Sequence, residues 1–131
     1  MFHYTALVTI LAVLFYSYTG SRVSLARGKF GVSAPATTGH PEFERIFRVH
    51  ANTLEWMPIF LPLLWLFAYY ESDVAAAVLG VIWIAARMLY MVNYTKAAST
   101  RGPGFTIQSI VCGVLLVGAV IGIINSFMHG A

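Results

Sequence analysis

The sequence predicts an all-α integral membrane protein built as a four-transmembrane-helix bundle. Hydrophobic residues make up 59% of its 131 residues and charged residues only 10%, and its mean hydropathy is +0.76. The eight Lys and Arg and five Asp and Glu residues cannot cover the exterior of a water-soluble domain of this length, so most of the surface must face lipid. We therefore interpret the net charge of +3 as a guide to membrane topology and expect no nucleic-acid partner.

The first and fourth helices are predicted from charge-free stretches at the two ends of the chain. A transmembrane helix needs about 20 mostly apolar residues, and residues 1–21 and 102–131 contain no Asp, Glu, Lys or Arg. The motif Gly102-Pro103-Gly104 predicts the boundary at which the fourth helix begins. A cleaved signal peptide is the alternative for residues 1–21, but this stretch lacks the basic residues with which such peptides begin.

The second helix has to carry polar residues into the membrane or its interface. Only residues 56–70 separate Glu55 from Glu71, and that interval is too short to cross a bilayer. We therefore expect a second span over residues 51–70, with Glu55 inside it.

The third helix presents the same problem. Only residues 74–86 separate Asp73 from Arg87, so a span of sufficient length must extend further. We expect it over residues 74–95, with Arg87 inside it.

The basic residues predict the topology. The turn at residues 71–73 has no Lys or Arg, whereas the connections before the second span and before the fourth span carry Arg22, Arg27, Lys29, Arg45, Arg48, Lys96 and Arg101. Positively charged connections stay in the cytoplasm, so the polar ends of the second and third helices should meet at the cytoplasmic face of a bacterial inner membrane or an endomembrane. The first connection is long and turn-rich, and Pro41 predicts the first turn of the second helix.

Two polar stripes point to a binding site. Side chains three and four residues apart share a helix face, and the second helix carries at such spacings Glu44, Arg48, Asn52 and Glu55. The third helix and the connection after it carry in the same way Arg87, Tyr90, Tyr94 and Arg101. Singly, each stripe has a structural explanation, either an intrahelical ion-pair ladder or an aromatic belt with an arginine that snorkels to the headgroups. Together at membrane depth they favour a site with a function.

The chemistry of these side chains restricts the ligand. Arginines bind carboxylates through paired hydrogen bonds, and Glu55 can take an ammonium group. A small polyanion that also bears an amine therefore suits the site. On their own, His50 favours a hydrogen-bonded structural role and Trp56 an interfacial anchor, while Cys112 in its apolar stretch is interpreted as a packed thiol.

The stretch from Pro41 to Pro58 resembles the signature of the MAPEG family, the membrane-associated proteins in eicosanoid and glutathione metabolism. It contains Glu44-Arg45, then Arg48-x-His-x-Asn52-x-x-Glu55 and a proline soon after. Further similarity, closest to microsomal glutathione transferases and glutathione-conjugating leukotriene synthases, lies in Ala26-Arg27, Ser33, Thr37-Thr38-Gly39, Pro41 to Arg45, Arg87, Tyr90, Tyr94 and Arg101. The resemblance covers residues 22 to 104 closely and the outer helices by hydropathy, so residues 1–131 are expected to form a single domain.

The resemblance implies a homotrimer in membrane lipid that binds glutathione as co-substrate between neighbouring subunits, while a hydrophobic electrophile arrives through the lipid; it implies no metal. The implied glutathione-binding residues are Arg48, His50, Asn52 and Glu55 of one subunit, Arg27, Tyr90 and Tyr94 across the interface, and Trp56. Trp56 stands where the closest family members have tyrosine, His50 where they have glutamine, and Gly28 and Gly31 where they have arginines. Arg101 matches the catalytic arginine that activates the glutathione thiol.

The function implied by this resemblance is a membrane-bound glutathione transferase, and glutathione peroxidase activity toward lipid hydroperoxides would use the same site. The alternatives are a non-enzymatic lipid-binding or lipid-presenting protein of the same fold, a glutathione-dependent isomerase, and an unrelated four-span transporter. The presence of the polar set argues against the lipid-binding protein. Product analysis separates isomerisation from conjugation.

Overall fold

The computed structural model describes residues 1–130, and their secondary structure is helical. Helix α1 comprises His3–Phe30, α2 Pro41–Tyr70, α3 Asp73–Lys96 and α4 Gly102–His129, with one turn of 3₁₀ helix at Ala98–Thr100 before α4. Each of the four α-helices is long and apolar enough to cross a membrane. The predicted fold class, an all-α membrane protein with four spanning helices, is confirmed.

Helix α1 is longer than predicted. The expected span ended at Ser21, but the helix continues to Phe30 and stops where Gly31 adopts a left-handed conformation with φ of 68°, which glycine reaches without steric cost. Hydropathy detects only the apolar part of a helix, and the next turns are polar. The first connection is therefore residues 31–40, and the cations of residues 22–29 lie on α1 instead of in the loop.

Helix α2 begins at Pro41, as its sequence predicts. The ring nitrogen Nδ1 of His40 accepts a hydrogen bond from the backbone N–H of Glu42 at 3.1 Å and so caps the first turn. The helix continues through Pro58 and Pro62 to Tyr70. It therefore carries the polar stripe and the apolar span on one uninterrupted element.

Contacts at both ends of the bundle establish that the helices alternate in direction. At one end, the carboxylate of Asp73 accepts hydrogen bonds from the backbone N–H groups of Tyr4 at 3.2 Å and Thr5 at 2.8 Å. At the other end, Arg45 Nε donates to the carbonyl oxygen of Thr95 at 3.0 Å. This second end, which we call the basic end, contains residues 22–48 and 94–105.

Tight packing fixes the helices around the site. The rings of Phe60 and Trp83 stack with centroids 3.9 Å apart in the centre of the bundle. Nearer the basic end, Gly104 lies directly against the backbone of α3, because a Cβ atom added there would be 2.5 Å from Tyr90 N and 2.7 Å from Ala86 O. Large apolar side chains such as Leu7 and Val117 remain exposed on the outside of the bundle, as a surface in contact with lipid requires. Cys112 is buried, as expected.

Candidate functional site

The polar stripe on α2 contains an ion pair. Arg48 Nη2 lies 2.9 Å from Glu55 Oε1, and about half of each side chain is exposed. Asn52 Nδ2 also donates to Glu55 Oε1 at 3.3 Å. Glu44 makes no hydrogen bond to this group. It accepts a hydrogen bond from the backbone N–H of Gly39 at 3.1 Å and so holds the end of the loop that precedes α2.

Arg87 of α3 lies directly behind the stripe. Its side chain is completely buried, Nη1 donates to Asn52 Oδ1 and Nη2 donates to Thr53 Oγ1, each at 2.8 Å. Its guanidinium carbon is 4.5 Å from the centre of the Tyr90 ring. The interpretation of Arg87 as an arginine that snorkels to the headgroups is therefore wrong, because the guanidinium points into the bundle and binds the neighbouring helix.

Thr53 is a part of this group that sequence reasoning missed. Its hydroxyl donates to the carbonyl oxygen of Val49 at 2.7 Å while it accepts from Arg87. The available signal was a hydroxyl residue next to Asn52 at membrane depth, where a polar group needs a partner.

An aromatic path joins α2, α3 and α4 beside the stripe. The ring of Trp56 meets Phe105 edge-on with centroids 5.6 Å apart, Phe105 is 6.0 Å from Tyr90, and Tyr90 stacks on Tyr94 at 5.4 Å. The guanidinium carbon of Arg101 lies 5.9 Å from the centre of the Tyr94 ring. Phe105 was not predicted as part of the site, since its apolar ring resembles any lipid-facing residue in the sequence.

An open cleft of about 420 Å³ lies at the basic end next to these residues, and its lining consists of Thr37, Pro41, Glu44, Arg45, Phe47, Arg48 and Tyr94. Its volume falls in the range of small-molecule sites, which begins at about 300 Å³. Arg48 and Tyr94 connect the cleft to the ion pair and to the aromatic path.

Two predicted site residues face elsewhere. Arg27 Nη1 donates to the carbonyl oxygen of Ala36 at 2.8 Å and so holds the loop at residues 31–40. The ring of His50 stacks on Tyr16 of α1 with centroids 4.7 Å apart, and its Nδ1 is 2.8 Å from Thr19 Oγ1. Successive residues of an α-helix are rotated by about 100°, so His50 and Asn52 point to different sides of α2.

The predicted residues that lie together on one chain are not the ones that the resemblance assigns to one subunit. Tyr90 and Tyr94 were expected to approach from a neighbouring subunit, but they lie beside α2 of their own chain because α2 and α3 are adjacent antiparallel helices. His50 was expected to act with Arg48 of the same chain, but it faces α1. One side of a single chain brings together Arg48, Asn52, Glu55, Trp56, Tyr90, Tyr94 and Arg101.

Fold and site together define a four-helix membrane protein with a polar, arginine-containing cleft at one end of the bundle. The MAPEG family model matches residues 5–121, and the chain belongs to this family. It is 41% identical over 123 residues to human microsomal glutathione S-transferase 2, which covers 94% of this chain and 84% of that protein. It is 37% identical over 123 residues to bovine leukotriene C4 synthase, with 94% and 82% covered.

A bacterial relative matches as well. An uncharacterized protein of Synechocystis is 46% identical over 119 residues, which cover 91% of this chain and 87% of that protein. The resemblance to the MAPEG family stated from the sequence is thereby confirmed.

Proposed function

We propose that the protein is a membrane-bound glutathione transferase, in which the thiolate of bound glutathione attacks a hydrophobic electrophile. The observation that carries this proposal is the convergence of Arg48, Asn52, Glu55, Tyr94 and Arg101 on one side of a chain that is 41% identical to a glutathione S-transferase. The exposed apolar helix surface gives a lipid-dissolved electrophile a route to the same end of the bundle.

Glutathione, the co-substrate, carries charges that suit this polar site. Its two carboxylates suit arginine, which donates two parallel hydrogen bonds to a carboxylate, and its ammonium group suits Glu55. Arg48 and Glu55 are both half-exposed, so a ligand reaches them without opening the core. The rings of Trp56 and Tyr94 supply flat surfaces on the aromatic path beside the polar group.

Arg101 is the residue that activates the thiol. A thiol in water has a pKa of about 8.5, so little thiolate, the true nucleophile, is present at neutral pH. A permanently charged guanidinium next to the sulfur stabilises the thiolate relative to the thiol. Arginine keeps its own proton, so the thiol proton leaves to water while Arg101 stabilises the remaining negative charge during the formation of the carbon–sulfur bond.

Arg27 and His50 serve the site of a neighbouring subunit in a homotrimer. What supports this assignment is that Arg27 lies on α1 and binds the loop, and that His50 faces α1, both away from Asn52 and Glu55 of the same chain. The basic end with the active site faces the cytoplasm, which is supported by the clustering of lysine and arginine there. The protein is thus a multi-pass protein of a bacterial inner membrane or an endomembrane.

A second reaction uses the same thiolate. Attack of the thiolate on a lipid hydroperoxide releases the lipid alcohol and leaves a sulfenic acid, which a second glutathione converts to oxidised glutathione and water. What supports this glutathione peroxidase activity is the opening of the site onto apolar helix surface, from which a lipid hydroperoxide can approach.

The test is an ultraviolet difference titration of the purified, detergent-solubilised protein with glutathione at neutral pH. We expect a saturable thiolate absorbance that Arg101→Ala abolishes, with glutathione still bound. Lys29→Ala removes another exposed cation of the basic end and serves as the matched control, which should keep the signal. Binding without thiolate would make glutathione a structural or regulatory ligand, and the absence of binding would overturn the proposal in favour of a lipid-binding protein.

A further inference from the structure

Arg87 is a cation buried in the membrane part of the bundle without an acidic partner in contact. Its side chain has no exposed surface, and the one ion pair between residues 1 and 130 joins Arg48 and Glu55. Burial of a charge is costly unless hydrogen bonds compensate it. The partners that the structure provides are an amide oxygen and a hydroxyl, those of Asn52 and Thr53.

The hydrogen bonds of Arg87 determine which way the Asn52 amide faces. An amide has one oxygen that accepts and one nitrogen that donates two hydrogens. Because a guanidinium can only donate, the amide oxygen must face Arg87, and the nitrogen must point away from it. The nitrogen indeed lies on the Glu55 side, where it donates to Oε1 at 3.3 Å.

Thr53 holds Arg87 in this position from the other side. Its hydroxyl accepts from Nη2 at 2.8 Å, so the two terminal nitrogens of the guanidinium are fixed by adjacent residues of α2. The ring of Tyr90 covers the guanidinium, with its centre 4.5 Å from the guanidinium carbon. Nε of Arg87 has no hydrogen-bond partner within the described chain, which makes these two bonds its main polar anchors.

We propose that Arg87 is a positioning residue of the glutathione site: it fixes the Asn52 amide with its oxygen turned inward and its nitrogen toward Glu55, so that Asn52 offers only hydrogen-bond donors to the ligand. The inference rests on the proposed function, since it names the role of a residue behind the glutathione site. One hydrogen of the Asn52 nitrogen serves Glu55, and we assign the other to the ligand. The group of glutathione at this point is therefore an acceptor, a carboxylate or carbonyl oxygen, and its ammonium group is excluded from contact with Asn52.

The test measures glutathione affinity by calorimetry and KM and kcat with a model electrophile, in the intact protein in lipid nanodiscs. Thr53→Val keeps the shape and the buried charge but removes one acceptor of Arg87. We expect its Kd and KM for glutathione to rise about three- to tenfold with kcat nearly unchanged, because only the orientation of a binding group is disturbed. Thr53→Ser restores the hydroxyl and should restore the affinity.

Asn52→Asp gives the complementary result. Its carboxylate still accepts from Arg87, but it cannot donate to Glu55 or to the ligand and places a second negative charge beside Glu55, so Kd should rise at least tenfold. Thr9→Val is the matched control for loss of a hydroxyl, because Thr9 Oγ1 accepts from Trp65 Nε1 at 3.0 Å at the opposite end of the bundle. It should alter stability alone.

A double substitution separates positioning from general stability. If Thr53 and Arg87 act through Asn52, Thr53→Val should not weaken binding further in an Asn52→Ala background, whereas a general loosening of the bundle would weaken it in both backgrounds. Unchanged affinity in Thr53→Val and in Arg87→Lys, or equal effects of Thr53→Val in both backgrounds, would overturn the inference. Failure of the wild-type protein to bind glutathione would instead overturn the proposed function.

Discussion

Replacement of Gly104 by alanine tests how closely the fold and the site are connected. The new Cβ would lie 2.5 Å from Tyr90 N, 2.7 Å from Ala86 O and 2.9 Å from Tyr90 Cα, whereas ordinary contacts begin at 3.4 Å. All three atoms belong to the α3 backbone and cannot rotate away. Helices α3 and α4 would therefore have to separate locally by about 1 Å, and overpacking of this kind costs about 1–3 kcal/mol.

That cost corresponds to a decrease of about 5- to 150-fold in the ratio of folded to unfolded protein. The shift also moves the residue next to Gly104, Phe105, whose ring contacts Trp56 and Tyr90. We therefore expect Gly104→Ala both to lower the thermal midpoint in detergent and to weaken glutathione binding, as measured by calorimetry on the same preparation.

Gly113→Ala provides the control on the same helix. A Cβ atom at Gly113 meets nothing within 4 Å, and alanine favours a helix over glycine by about 1 kcal/mol, so this variant should be at least as stable as the wild type. A Gly104→Ala protein with wild-type stability would refute the packing argument. Lower stability with unchanged glutathione affinity would refute the connection between this contact and the site.

Substitutions at four further positions separate binding from folding. Arg48→Gln and Glu55→Gln should each raise the Kd for glutathione about tenfold or more and leave the thermal midpoint nearly unchanged, because an exposed ion pair contributes only about 0–1 kcal/mol; a large loss of stability in calorimetric scans would contradict this. His50→Ala removes the ring that stacks on Tyr16 and should lower the midpoint more than His50→Gln, by differential scanning fluorimetry. Asp73→Asn weakens the acceptor of two α1 backbone N–H groups and should speed proteolysis or hydrogen exchange at the start of α1 without changing glutathione affinity.

The spans and the polar stripe could be predicted because each depends on local periodicity. Two charge-free stretches of membrane length predict the outer helices, and two shorter apolar stretches that must extend over polar residues predict the inner ones, while spacings of three and four residues place Arg48, Asn52 and Glu55 on one face. The extension of α1 to Phe30 was not predictable from hydropathy, because water-exposed turns of a helix carry no apolar signal. The sequence also could not establish on which side of α3 the guanidinium of Arg87 lies, since both the headgroups and a polar neighbour attract an arginine.

The partners within the site depend on how neighbouring helices are rotated about their axes. Spacing along α2 predicts that His50 points away from Asn52, but only the packed bundle identifies Tyr16 and Thr19 as its partners. In the same way, Thr53 belongs to the site because Arg87 of α3 binds it, and Phe105 of α4 belongs to it because its ring contacts α2 and α3. Sequence patterns predict which face a residue occupies, and tertiary packing determines what that face meets.

The ion pair between Arg48 and Glu55 has a consequence for selectivity. Because the two charges already neutralise each other across 2.9 Å, a simple anion that binds Arg48 leaves the carboxylate without its charged partner, and a simple cation that binds Glu55 does the same to the guanidinium. Only a ligand that brings both signs of charge at a matching separation compensates both partners at once. We therefore expect the site to bind glutathione in preference to inorganic ions and plain carboxylates.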